Sequence, residues 1–124
     1  MLEERRPITS LFIDLNDFTS FTEHTDPSIV TRQLNLYFEE MTSLIVRYQG
    51  TLDKYLGDGI LAIFGAPDIL PNHTIKAVEC AVEMQKKMAE LREYWKSRNL
   101  TPLSASIGIY SGDALVGTVG SESL

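Results

Sequence analysis

Two aspartates, Asp14 and Asp58, each stand where an apolar stretch gives way to a turn. The first lies in Ile8-Thr-Ser-Leu-Phe-Ile-Asp14-Leu-Asn-Asp-Phe-Thr19, the second in Lys54-Tyr-Leu-Gly-Asp58-Gly-Ile-Leu-Ala-Ile-Phe-Gly65. A carboxylate at the end of a buried strand is costly unless something positive meets it. Taken singly, each reads as a turn residue or helix cap, the usual employment of Asp between elements. Brought together, two such carboxylates repel each other without a cation. With one they form an oxygen-ligand site for Mg²⁺, the ion that handles nucleoside triphosphates.

Whether they meet depends on the elements that carry them. Residues 8–14 form an apolar run that predicts a buried strand. Asp17 is placed to cap a brief helical turn through Thr22, and Asp26-Pro27 is a helix start with proline at the first helical position. Val30, Leu34, Tyr37, Phe38, Met41, Leu44, Ile45 and Tyr48 then recur at helical spacing, ending near Gly50. Thr51–Leu56 and Ile60–Phe64 read as strands joined by a tight turn at Gly57-Asp58-Gly59. Asn72 is placed to cap a long helix with Val78, Ala81, Met88, Leu91 and Trp95 on its buried face, stopped by Asn99 and Pro102. Leu103, Ala105, Ile107 and Ile109 alternate with Ser104, Ser106, Gly108 and Tyr110 as a strand. Ala114–Val119 reads as one more, paired back across Gly112-Asp113.

The order β-α-β-β-α-β-β, with the first helix split, matches the α+β, ferredoxin-like (split βαβ) arrangement: an antiparallel sheet with both long helices on one face. There the first strand lies beside the third and antiparallel to it. Asp14 ends the first and Asp58 precedes the third, so the topology makes them neighbours.

Composition narrows the function. At 124 residues the chain is one domain. A net charge of −6 repels polyphosphate backbones, which argues against nucleic-acid binding, whereas a small nucleotide escorted by metal remains compatible. The single Cys80 reads as a buried thiol, with a cytoplasmic setting as its consequence. No apolar run approaches a membrane span. His24 and His73 lack ligand-spaced partners and read as surface or capping residues. Met84, Met88 and Trp95 read as packing, and Lys86-Lys87 with Arg92 as a solvated helix face.

Three segments, Ile8–Thr19, Asp53–Gly65 and Ser106-Ile-Gly108-Ile-Tyr-Ser-Gly112-Asp-Ala-Leu-Val-Gly117-Thr-Val-Gly120, together resemble the class III adenylate/guanylate cyclase catalytic domain in order and spacing. The resemblance runs from Pro7 onward and includes Asn72-His73 and Met84-Gln85. It implies an adenylate cyclase that converts ATP to cyclic AMP and pyrophosphate. Two divalent ions, Mg²⁺ or Mn²⁺, would be held in each site by Asp14, Asp58 and the carbonyl of Leu15, one activating the ribose 3′-hydroxyl and the other neutralising the leaving pyrophosphate. It further implies that the turn Asn16, Asp17, Phe18 and Thr19 cradles the triphosphate with backbone N–H groups. Lys54 stands where the family reads the purine edge: a lysine there favours adenine, and glutamate is usual in guanylate cyclases. Asp58 and Lys54 would serve opposite sites of a homodimer with two-fold symmetry.

The departures from the family carry expectations too. Asp17 replaces a usual glycine; it is expected to cap the short helix, the alternative being that its charge repels the incoming triphosphate. After Gly120-Ser-Glu-Ser-Leu124 the family continues into a strand and helix bearing a second purine-reading residue and an Asn…Arg pair. Arg5, Arg6, Arg32, Arg47, Arg92 and Arg98 do not stand at those places. Losing such charge stabilisers costs factors of hundreds in rate. The expectation is therefore a catalytic domain over 8–124, incomplete at its C-terminus and by itself inactive, cut from a longer protein that is either cytoplasmic or membrane-attached with a cytoplasmic catalytic domain. Residues 1–7 read as the remnant of a linker to an upstream regulatory domain. The alternatives are a guanylate cyclase and a silent, cyclase-like nucleotide-binding or dimerising module. A diguanylate cyclase or polymerase-palm relative would need a Gly-Gly-Asp/Glu-Glu-Phe hairpin that Gly57-Asp58-Gly59 does not supply.

Overall fold

Strand β1 (Glu3–Leu15) sets the geometry of the sheet, because its alternation sends Thr9, Leu11, Ile13 and Leu15 into the core and Ser10, Phe12 and Asp14 to the other side. The computed structural model describes residues 3–117. After β1 come α1 (Phe18–Glu23), α2 (Pro27–Arg47), β2 (Thr51–Leu56), β3 (Gly59–Phe64), α3 (His73–Ser97) and β4 (Ala105–Gly117). The four strands form one antiparallel sheet in the order β2-β3-β1-β4. Helices α2 and α3 lie side by side on one face, and among the described residues no helix covers the other. This is the expected α+β architecture.

Helix α2 starts as the sequence predicts: Asp26 accepts from the Ser28 N–H at 2.9 Å and from its hydroxyl at 2.8 Å, ahead of Pro27. It ends on Gln49, which takes the left-handed conformation (φ +67°), while the Gly50 N–H returns to the Ile45 carbonyl at 2.8 Å. Gly50 is small for another reason. A Cβ there would sit 2.7 Å from the buried Phe64 ring.

The β2–β3 connection is tighter than expected. Its loop is Gly57-Asp58 alone, with positive φ at Gly57 (+64°), and Gly59 already pairs with Leu56 as the first residue of β3. In β2 the register shifts between Leu52 and Lys54. This bulge keeps both Leu52 and Tyr55 on the helix side, where Tyr55 packs on Phe38 of α2 with ring centroids 4.6 Å apart.

Three expectations about α3 need correction. Its buried face is Ala77, Cys80, Met84, Met88, Leu91 and Trp95; Val78 is exposed and Ala81 only half-buried. Apolar residues cover more than half of this helix's circumference at its N-terminal end, so packing on β1 and β4, not periodicity, fixes its rotation. The Asn72 side chain makes no capping bond. His73 instead anchors the start of the helix: its Nδ1 lies 2.7 Å from Oγ1 of the fully buried Thr9, which also meets Ser111 Oγ at 2.7 Å. His73 is thus a docking residue and not a surface one.

The expected hairpin at Gly112-Asp113 is also absent. Strand β4 runs unbroken from Ala105 to Gly117 and pairs with β1 throughout, Gly112 opposite Ile8 and Gly117 opposite Glu3. Gly112 serves close approach within a strand: a Cβ there would meet the Tyr110 ring at 2.9 Å. Correspondingly β1 begins at Glu3, so Glu3–Pro7, read above as linker, is paired strand, with Arg6 donating to the carbonyls of Gly65 (3.0 Å) and Pro67 (2.6 Å). Residues 118 and 119 of the expected last strand, and the run to Leu124, lie outside the described residues.

The core fills the space between helices and sheet with Tyr37, Met41 and Ile45 from α2, Cys80, Met84, Met88 and Trp95 from α3, and Leu11, Ile13, Ile60 and Phe64 beneath. Each such large side chain contributes about 1.5–3 kcal/mol over leaving it in water. Among the described residues no helix is long and apolar enough to cross a membrane.

Candidate functional site

Strands β1 and β3 pair from Thr9↔Phe64 to Ile13↔Ile60, so the end of one lies against the start of the other. Just past that last pair, the backbone N–H of Leu15 donates to Asp58 Oδ2 at 2.9 Å. The two-residue loop thereby delivers the Asp58 carboxylate to the residue following Asp14. Both aspartates are half-buried, and Asp14 belongs to the helix-free side of β1. Tyr37 lies beneath them. Its hydroxyl donates to the Ile13 carbonyl at 3.3 Å, and its ionisation is pushed well above the usual phenol range, chiefly by burial and then by the charges of Asp58 and Asp14.

Among the described residues no lysine, arginine or histidine pairs with either carboxylate, and no cluster of three or more His, Cys, Asp or Glu side chains forms anywhere. Two carboxylates flanking a backbone carbonyl are too few to cage an ion completely. They suit a hard cation that fills its remaining positions with water and substrate phosphates, as Mg²⁺ does. The donor set fits the expected metal.

The turn after β1 departs from its reading. Asp17 does not cap α1: it sits in the left-handed region (φ +57°, ψ +31°) and its side chain makes no capping bond. Backbone geometry demands that conformation here, which accounts for the usual glycine; Asp tolerates it better than most residues. The N–H groups of Phe18 and Thr19 consequently receive nothing from the Asp17 side chain. Asn16 is fully engaged. Its N–H donates to the Ser104 carbonyl at 2.9 Å, its Nδ2 to Ser104 Oγ at 2.9 Å, and its Oδ1 accepts from Ser106 Oγ at 2.6 Å. Phe18 is half-buried beside Phe21, and Thr19 is exposed.

Lys54 is exposed and its ammonium lies 3.6 Å from Asp53, a solvated pair contributing little. The bulge decides its direction. Because Tyr55 faces α2, Lys54, opposite Leu61, faces the helix-free side that also carries Asp14. Strand β3 separates them.

Tyr37, Ser104 and Ser106 escaped the sequence reading as site residues. Tyr37 is indistinguishable by periodicity from its packing neighbours. The serines alternate regularly with Leu103 and Ala105, and only the pairing of Ala105 with Leu15 brings them beside Asn16.

The profile of the adenylate and guanylate cyclase catalytic domain matches residues 2–124. The chain is similar to the solved guanylyl cyclase Cya2, with 43% identity and a TM-score of 0.90 over 98% of this chain and 62% of that one. It is similar also to the adenylyl cyclase CyaB from P. aeruginosa, at 31% identity and a TM-score of 0.91 over 100% of this chain and 65% of that one. An adenylate cyclase of Anabaena cylindrica is 33% identical over 119 residues, 93% of this chain and 23% of its own length. The chain spans about a fifth of the length of such curated relatives and slightly under two thirds of those solved chains.

Proposed function

Because the chain belongs to the adenylate and guanylate cyclase catalytic domain family, we propose that it is the metal-carrying part of a cyclase site that converts ATP to cyclic AMP and pyrophosphate. The observation that carries this reading is the Asp58 carboxylate held on the Leu15 N–H, one residue beyond Asp14. A pair of divalent cations, when bound, supplies Lewis acidity to the ribose 3′-hydroxyl and neutralises the charge of the leaving pyrophosphate. Asp14, Asp58 and the Leu15 carbonyl would hold them.

The chain's own residues do the positioning. The Leu15 N–H fixes one oxygen of Asp58 and leaves the other to a ligand. Tyr37, buried and neutral, supports the Ile13 carbonyl from below without adding charge. The N–H groups of Phe18 and Thr19, uncapped by Asp17, offer donors to phosphate oxygens. Lys54 presents only donors and so suits the ring nitrogen of adenine better than the N–H edge of guanine.

We further propose that a second copy completes the site. Lys54 and Asp14 share the bare side of the sheet but are separated by β3, so one nucleotide reaches both types of group most simply from two chains facing each other. That side carries exposed Leu56 and Tyr110 and half-buried Phe12, Leu61 and Ile63, apolar surface that a partner would cover. The 43% identity to a guanylyl cyclase favours GTP as the second reading of the substrate.

Binding of Mn²⁺ with a non-cyclising ATP analogue to the chain tests the assignment. It should be lost in Asp58→Asn, and ATP analogue should outcompete GTP analogue. An Asp58→Asn protein that binds both metal and nucleotide as the parent does would defeat it.

A further inference from the structure

We propose that Ser104 and Ser106 are positioning residues for the cation-binding end of β1, acting through Asn16; the inference rests on the reading of Asp14 and Asp58 just given.

The β1–β4 ladder closes with Asp14↔Ser106 and Leu15↔Ala105. Beyond it the chain enters the turn that leads to α1, where a strand end would ordinarily fray. Here it does not, because Asn16 is gripped at its N–H and at both ends of its amide by Ser104 and Ser106, at 2.9, 2.9 and 2.6 Å. The Asn16 N–H bond to the Ser104 carbonyl fixes the peptide plane between Leu15 and Asn16, which contains the Leu15 carbonyl, and the side-chain amide, held at both ends by the two serine hydroxyls, keeps Asn16 from swinging out of that position. Leu15 is also the residue whose N–H orients Asp58. The clamp therefore acts on the backbone ligand through the Leu15–Asn16 plane, one peptide beyond the N–H that orients Asp58.

Ser106 contributes a second effect. It is the cross-strand partner of Asp14, yet its hydroxyl proton goes to Asn16 Oδ1. The amide draws off a donor that could otherwise occupy Asp14, leaving that carboxylate to the cation. In this account Asn16, expected from the resemblance to touch the nucleotide, spends its side chain inside the protein.

A plain strand-end stitch would stabilise the fold equally with and without ligand, so the test separates the two. Mn²⁺ binding in the presence of a non-cyclising ATP analogue is followed by the Mn²⁺ electron paramagnetic resonance signal, alongside thermal unfolding of the metal-free chain, for the parent, Ser104→Ala/Ser106→Ala, Ser106→Thr and Asp58→Asn. The double variant should bind about three- to tenfold more weakly, because the loosened turn must then be ordered on binding. Its metal-free unfolding temperature should fall by a few degrees at most, for two strand-end hydrogen bonds lost, and Ser106→Thr, which keeps the hydroxyl, should bind and unfold as the parent does. Unchanged affinity in the double variant, with binding abolished by Asp58→Asn, overturns the clamp alone. Unchanged affinity in Asp58→Asn overturns the site reading and the clamp with it. A lowered metal-free unfolding temperature with unchanged affinity, or a Ser106→Thr protein that binds as weakly as the double variant, reduces the serines to a stitch and also overturns the proposal.

Discussion

The Leu15 N–H donates to Asp58 Oδ2 at 2.9 Å, tying the end of β1 to the loop that opens β3 across forty-three positions of sequence. One hydrogen bond thus orients a carboxylate and brings it beside Asp14. Both carboxylates are half-buried, and the charge of each raises the pKa of Tyr37, after the larger effect of its burial.

Asp58→Asn should weaken Mn²⁺ binding by at least about tenfold while leaving the fold intact. The asparagine carbonyl can still accept from Leu15, so the change removes charge and keeps the bond. Asp58→Ala should in addition lower the unfolding temperature, since it orphans the Leu15 N–H. Calorimetric titration and thermal scans of both variants decide the matter; equal stability of the two would contradict the role given to the hydrogen bond.

Lys54→Glu should move the preference of the proposed site from ATP toward GTP by about tenfold or more, because an acceptor then faces the purine edge where a donor stood. Competition between the two analogues on the Mn²⁺-loaded protein measures it. The exposed Lys54–Asp53 pair is too weak for its loss to disturb folding.

Gly57 and Gly59 should tolerate a side chain unequally. Gly57 has φ +64° but open space around it, so Gly57→Asn should cost at most a few tenths of a kcal/mol. At Gly59 a Cβ would lie 2.5 Å from the Phe12 ring, so even Gly59→Ala should cost about 1–3 kcal/mol through overpacking. Denaturant titrations that rank them the other way would show the turn misassigned.

Stability should decline in alkali in two stages. Burial pushes the Cys80 thiol from its ordinary 9.0 up to about 12, and Tyr37 is pushed up from 10.0. Above pH 9 the unfolded chain releases the thiol proton while the folded one keeps it, so deprotonation favours unfolding. Cys80 alone lowers stability by about 1.4 kcal/mol per pH unit there, and Tyr37 adds to the slope above pH 10. Below pH 9 neither contributes a slope. Unfolding free energies of the parent and Cys80→Ala between pH 8 and 11 should diverge in slope from pH 9 upward; parallel curves would place the thiol in contact with water.

Local signals carried much of this protein. The apolar run through Leu11 and Ile13, the Asp26-Pro27 start and the i, i+4 series from Tyr37 to Ile45 each encode an element within a few residues, and the order of elements then determines that β1 and β3 adjoin and that Asp14 nears Asp58. Local signals fail where two conformations are equally compatible with the residues. Ser-Gly-Asp at 111–113 serves as a turn or as strand, and only the long β1 running alongside selects strand. Asp17 looks like a cap, but the turn between β1 and α1 places it in the left-handed region and its side chain makes no capping bond. The rotation of α3 around Val78 and Ala77, the bulge that sends Lys54 to the bare face, and the grip of Ser104 and Ser106 on Asn16 all come from contacts between segments distant in sequence. Their energies exist only once the sheet has formed, so periodicity and spacing hold no trace of them.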